Sequence, residues 1–104
     1  MEQKIIIANT TFSNEESALV CSRNLVQKKL VACAQVSGPI RSFYQWESEI
    51  HEDHEWRLVL KFSESNESLV RDEVMKNHEY DSPQWIYWSA DTNESYGKWV
   101  NAEE

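Results

Sequence analysis

Residues 30–50, LVACAQVSGPIRSFYQWESEI, read as one long interrupted strand. A small-residue segment, Val31-Ala32-Cys33-Ala34, breaks at Ser37-Gly38-Pro39. It resumes as an aromatic segment, Phe43-Tyr44-Gln45-Trp46, and ends at a short polar turn, Glu47-Ser48-Glu49. β-type residues flank the Gly-Pro pair on both sides, so the pair marks a kink or bulge rather than the end of an element. Such a strand overshoots the usual ~5–6 residues. A strand longer than its own domain needs something else to pair with.

Working outward, Lys4–Ala8 is an Ile run expected to form a central strand buried on both faces. Ser13-Asn14-Glu15-Glu16 has the pattern of a capping box with Ser13 as N-cap. The helix it opens carries Ala18, Cys21, Ser22, Leu25 and Val26 on one face, and Lys28-Lys29 suits its C-terminal end. Beyond the long strand, His51–Glu55 reads as polar turn. Trp56–Phe62 then alternates: Trp56, Leu58, Leu60 and Phe62 face one way, and Glu55, Arg57, Val59 and Lys61 the other. Ser63–Asn66 reads as a loop, and a helix with Leu69, Val70 and Val74 runs from Glu67 to about Asn77. The loop after it exits at Pro83 into a fourth strand, Gln84–Trp88, apolar on both faces. Asp91-Thr92-Asn93-Glu94 caps a last short helix bearing Tyr96, Trp99 and Val100.

The order is β-α-β-β-α-β plus a terminal helix: an α+β, ferredoxin-like domain with long kinked hairpin strands, spanning 1–104 as one unit. Right-handed crossovers put both main helices on one face of the sheet. The other face, with Tyr44, Trp46 or Trp85, would leave a large apolar patch on a monomer, and another copy of the chain is the expected cover. The net charge of −8 argues against nucleic acid and anionic membranes as partners. The apolar run in MEQKIII is too short for a signal or membrane segment, so a cytoplasmic location is expected, with Cys21 and Cys33 as reduced thiols.

Five segments taken together resemble the CutA family of divalent-cation tolerance proteins. They are Leu30–Ala34; Ile40-x-Ser42-x-Tyr44-x-Trp46; Glu55 through Leu60-Lys61; His78-x-Tyr80-Asp81-x-Pro83; and Tyr96-x-x-Trp99-Val100. The resemblance implies a ferredoxin-like fold, a stable homotrimer whose long strands pair across subunits, a cytoplasmic address and an association with tolerance to copper and other divalent cations. The chain departs from the family pattern at Ser48, where the hairpin turn usually has Gly, and at Glu79 and Gln84, where Pro and Glu are common. Copper-binding members carry a Cys in or after the first strand, and often a second His beside the loop His. Here the strand runs Ile7-Ala8-Asn9-Thr10 and Asn77 precedes His78, so the copper ligands do not carry over intact.

His78, Glu79 and Asp81 share one loop: either a weak Cu²⁺ or Zn²⁺ site, or a His that hydrogen-bonds the turn to Pro83. His51 and His54, with the carboxylates between and beside them, are either a surface metal cluster or a solvated acidic turn. Lys61 with Glu55, Tyr44 and Trp46 either lines a cleft between subunits that takes a small molecule, or forms ion pairs and packing. No nucleophile–base constellation or phosphate loop such as GxxxxGK[ST] is visible, which favours a non-enzymatic protein without a resident cofactor beyond a weakly held divalent metal. The expected function is a cytoplasmic homotrimer of metal tolerance. The alternative is a small-molecule sensor comparable with the trimeric PII-type signalling proteins.

Overall fold

The computed structural model describes residues 2–102. The strands are β1 (Gln3–Phe12), β2 (Cys33–Trp46), β3 (Glu49–Phe62) and β4 (Ile86–Thr92); the helices are α1 (Glu15–Gln27), α2 (Glu67–Lys76) and α3 (Glu94–Val100). They form one antiparallel sheet in the order β2-β3-β1-β4. This is the expected ferredoxin-like arrangement. Alternation along β1 and β3 sends Ala8, Phe12, Leu58, Leu60 and Phe62 to one face, where they form a single buried cluster with Ala18 and Leu25 of α1 and Val70 and Val74 of α2. Both main helices therefore cover the same face.

The opposite face is not wholly bare. α3 lies over one end of it, with Gly97 against Gln3, the Tyr96 ring 5.7 Å from Lys61 Nζ, and Asn101 Nδ2 donating to the Lys4 carbonyl at 3.1 Å. The expectation of a sheet face without cover from its own chain holds only away from that end, and Trp85 does not belong to it: its ring packs against Phe62 on the helix-covered side and its Nε1 donates to Glu67 of α2 at 3.1 Å.

β2 and β3 are each 14 residues long, and their far halves pair only with each other, giving a molecule of 48 × 24 × 22 Å with a projecting arm. The register slips between Ser37 and Ile40, which is the bulge the Gly-Pro pair predicted. Gly38 has φ +151°, and a Cβ there would lie 2.7 Å from Trp56 Cδ1, so the bulge needs glycine for both conformation and space. The tip is a two-residue turn with Glu47 at φ 52° and Ser48 at φ 66°. This is the geometry for which Asn-Gly is preferred. Replacing Ser48 with glycine is expected to stabilise the protein by about 1 kcal/mol, because a left-handed conformation then carries no Cβ penalty. Thermal unfolding of Ser48→Gly checks this; an unchanged or lowered midpoint contradicts it.

Several expectations need correction. His51–Glu55 is strand, not turn, because each of its residues pairs across to β2, from Tyr44↔His51 to Ile40↔Glu55. The N-cap of α1 is Asn14, whose Oδ1 accepts from the Ser17 amide at 2.8 Å, rather than Ser13. Val26 is 44% exposed rather than part of the core face. Glu64–Asn66 forms a short 3-10 turn. β4 begins two residues later than expected and runs through Asp91 and Thr92, while Ile86, Tyr87 and Trp88 are exposed instead of buried. Asn93 caps α3, as the sequence indicated.

Candidate functional site

The loop between α2 and β4 folds back on the end of β1. The His78 ring stacks on Phe12 with centroids 4.4 Å apart. Its Nδ1 accepts from the Tyr80 amide at 3.1 Å, which places the proton on Nε2, and Nε2 donates to the Thr11 carbonyl at 2.8 Å. Both nitrogens are thus committed within the chain. Neither offers a lone pair to a metal without breaking the turn. Burial holds the His78 pKa below the usual histidine value, against the opposing pull of the Thr11 carbonyl and of Glu79 and Glu55.

A histidine shifted down on folding binds fewer protons folded than unfolded. Its contribution to stability is complete above the unfolded value of about 6.5 and is lost as pH falls through the lower folded value. An NMR titration of His78 is therefore expected to give a midpoint below 6.5, and the corresponding loss of stability in acid should flatten in His78→Gln. A midpoint above 6.5 would reverse the assignment.

Glu79 is also spent on the fold. Its Oε1 accepts from the Ser13 amide at 2.7 Å and the Ser13 hydroxyl at 2.6 Å, and its Oε2 accepts from Asn14 Nδ2 at 3.3 Å. Burial pushes its pKa up, but the Ser13 bonds outweigh that and hold it below the ordinary range. The carboxylate ties the loop to the start of α1. Asp81 is exposed and makes no hydrogen bond or ion pair among the described residues.

On the arm, strand alternation puts His51, Asp53 and Glu55 on one face and His54 on the other with Glu52. The two His side chains of the expected cluster therefore diverge. Tyr44 stacks on His51 at 5.3 Å between centroids, and its hydroxyl donates to the Asp53 carboxylate, which raises its pKa. Tyr80 donates to Glu55 Oε2 at 2.7 Å; burial first, then Glu55, pushes that phenol up. Arg41 bridges to Glu52 at 3.3 Å, and Trp46 pairs across the tip with Glu49.

Lys61 sits at the other end of β3. It lies roughly 20 Å along the strand from Glu55 and roughly 33 Å from the level of His51 and Tyr44, at ~3.3 Å per residue. Its ammonium faces Tyr96 of the same chain rather than a carboxylate. Lys61, Glu55, Tyr44 and Trp46 do not converge within one chain. Among the described residues, no three His, Cys, Asp or Glu side chains come close enough together to hold a metal ion.

The alternative expectation, a His that hydrogen-bonds the turn leading to Pro83, matches the Tyr80 amide on Nδ1, but the partners of His78 on β1 were not foreseen. Phe12, Thr11 and the Tyr80 amide hold it, and two of these contacts are to backbone groups that no motif displays. The Ser13–Glu79 link was not foreseen, since Ser13 was expected to cap α1 and instead bonds the loop carboxylate. Cys21, on the partly buried face of α1, has its thiol pushed up to about 11, chiefly by burial, so it rests protonated.

The family described as CutA1 divalent ion tolerance protein matches residues 6–103. The divalent-cation tolerance protein CutA of Pyrococcus horikoshii is 37% identical over 100 residues, covering 95% of this chain and 97% of that protein. The protein of the same description from Thermotoga maritima is 40% identical over 79 residues, covering 76% of this chain and 77% of the relative. Among solved structures, the crystal structure of the divalent ion tolerance protein CutA1 from Ehrlichia chaffeensis superimposes with a TM-score of 0.90 at 32% identity, over 98% of this chain and 95% of that one.

Proposed function

Because the chain belongs to the CutA1 family of divalent ion tolerance proteins, we propose that it acts in metal tolerance as a non-enzymatic, cytoplasmic homotrimer that contacts Cu²⁺ or Zn²⁺ weakly, at its surface. The observation that carries this reading is the composition of the arm. Glu47, Glu49, Glu52, Asp53 and Glu55 stand there with His51 and His54 in nine residues of a chain whose net charge is −8. His51 and Asp53 are same-face neighbours, an imidazole and a carboxylate of the kind these ions accept. The loop ligands fit a metal less well, since His78 and Glu79 are already bonded on all the atoms that would coordinate.

The trimer is supported by what a lone chain exposes: Phe43 and Ile50 on the arm, and Ile86 and Trp88 on edge strand β4. Two unpaired thiols among the described residues fit a reducing compartment. The sensor reading around Lys61 has less to rest on, because that ammonium already faces its own chain's Tyr96.

Calorimetric titration with Cu²⁺ and Zn²⁺ tests the metal reading. Weak, saturable heat that persists in His78→Ala and is lost in His51→Ala is expected. Tight binding abolished by His78→Ala, or no heat with either metal, overturns it.

A further inference from the structure

At the end of the sheet away from the arm, two helices finish beside each other. After α1, the Leu30 amide returns to the Leu25 carbonyl at 3.1 Å and the Lys29 amide to the Val26 carbonyl at 3.0 Å, the paired bonds of a Schellman turn. Its left-handed position, normally glycine, is Lys29 at φ 59°. α3 ends similarly, with Ala102 at φ 56° and its amide bonded to the Trp99 carbonyl at 3.1 Å. Apart from the hairpin tip, these are the non-glycine residues with positive φ among those described. Both line the same cavity, of about 490 Å³. A side chain in this conformation costs about 1 kcal/mol or more, and residues strained in this way cluster at functional sites.

The cavity has an apolar wall, polar groups already bonded and, among the described residues, two free donors. Val26, Val100 and the Trp99 ring, 46% exposed, supply apolar surface. Most polar groups around it are already bonded: Asn66 Nδ2 to the Leu30 carbonyl, the Ser63 hydroxyl to Asn101 Oδ1, and Asn101 Nδ2 to the Lys4 carbonyl. The Lys29 ammonium and the Ser65 hydroxyl have no partner among the described residues. Helix C-termini ordinarily repel anions, but here the carbonyls of Asn24, Leu25, Val26, Gly97 and Trp99 accept backbone amides. The volume lies within the range of small-molecule sites.

We infer that this cavity binds a small aromatic carboxylate, its ring against Trp99 and the two valines and its carboxylate on Lys29 Nζ and the Ser65 hydroxyl. The site lies apart from the arm and does not depend on metal binding there.

The test is a titration of the ¹⁵N-labelled full chain with sodium benzoate, read by amide and indole NMR shifts. Saturable shifts at Trp99 Nε1–H and at the Lys29, Ser65 and Ala102 amides are expected. Lys29→Gln should weaken binding by about tenfold, the scale of one charge-assisted contact. Lys29→Gly should weaken binding to the same extent while raising the thermal midpoint, which separates the lost charge from the backbone. Cyclohexanecarboxylate should bind more weakly than benzoate. Shifts that do not saturate or that fall elsewhere, or equal affinity for the parent and Lys29→Gln, overturn the inference.

Discussion

Gly97→Ala is expected to destabilise the protein by about 3 kcal/mol, at the upper end of what overpacking costs. Helix propensity alone predicts the opposite sign, since alanine is favoured over glycine in a helix interior by about 1 kcal/mol. Packing decides. A Cβ at position 97 would lie 2.1 Å from Gln3 Cβ and 2.3 Å from Thr92 Oγ1. Carbon atoms rest at about 3.5–4.0 Å from one another. Gln3 Cβ is fixed to the backbone of β1 and cannot swing aside, and Thr92 Oγ1 is held by its bond to the Asn93 carbonyl at 2.8 Å. The helix must therefore lift from the sheet. Lifting it loosens Val100, 5% exposed, and strains the Asn101 bond to the Lys4 carbonyl. Urea unfolding should show a lower midpoint at an unchanged slope. An unchanged or higher midpoint would mean that α3 does not rest on β1 at Gly97.

The same helix shows where the sequence was readable and where it was not. Asn93 as its cap follows from local chemistry, because the side chain and the amide it receives are three residues apart. That α3 covers one end of the second sheet face depends on Gln3 and Lys61, far away in the chain, and no local pattern carries it. β1 and the inner half of β3 were legible because burial on one or both faces imposes alternation or a continuous apolar run. The outer half of β3 was misread as turn because both faces of the arm meet water within one chain, so His51–Glu55 shows no hydrophobic alternation. The far end of β4 was hidden for a related reason: Ala90 and Asp91 have poor strand propensity and are held by pairing with β1, tertiary context overriding local preference. At the candidate site the residue types were legible and their roles were not. His78 could be read as a metal ligand or as a turn-bonding histidine, and the Tyr80 amide on Nδ1 decides for the second, while the Thr11 carbonyl and the link from Glu79 to the Ser13 amide come from distant parts of the chain.

Phe43→Asp combined with Ile50→Asp is expected to convert the proposed trimer, about three times 12.3 kDa, into a 12.3 kDa monomer that keeps its secondary structure. Phe43 is 66% and Ile50 78% exposed in the single chain, on the face of the arm shared with Glu52 and His54. Burying two such side chains against a neighbouring subunit contributes roughly 3–6 kcal/mol per chain. The double substitution removes that contribution and places carboxylates beside Glu52 in a surface that would have to be desolvated, where unpaired charge is costly. Three copies repeat the penalty. The body's core is built from Leu58, Leu60, Phe62, Ala18, Leu25, Val70 and Val74, none of which depends on the arm. Circular dichroism should therefore stay close to the parent's while light scattering reports the lower mass. A variant that remains at the trimer mass would move the interface off this face of the arm, leaving β4 to be tested with Ile86→Asp and Trp88→Asp. A parent already at 12.3 kDa would mean that the exposed aromatic and aliphatic side chains face water, and the length of β2 and β3 would then need a partner other than a second copy of this chain.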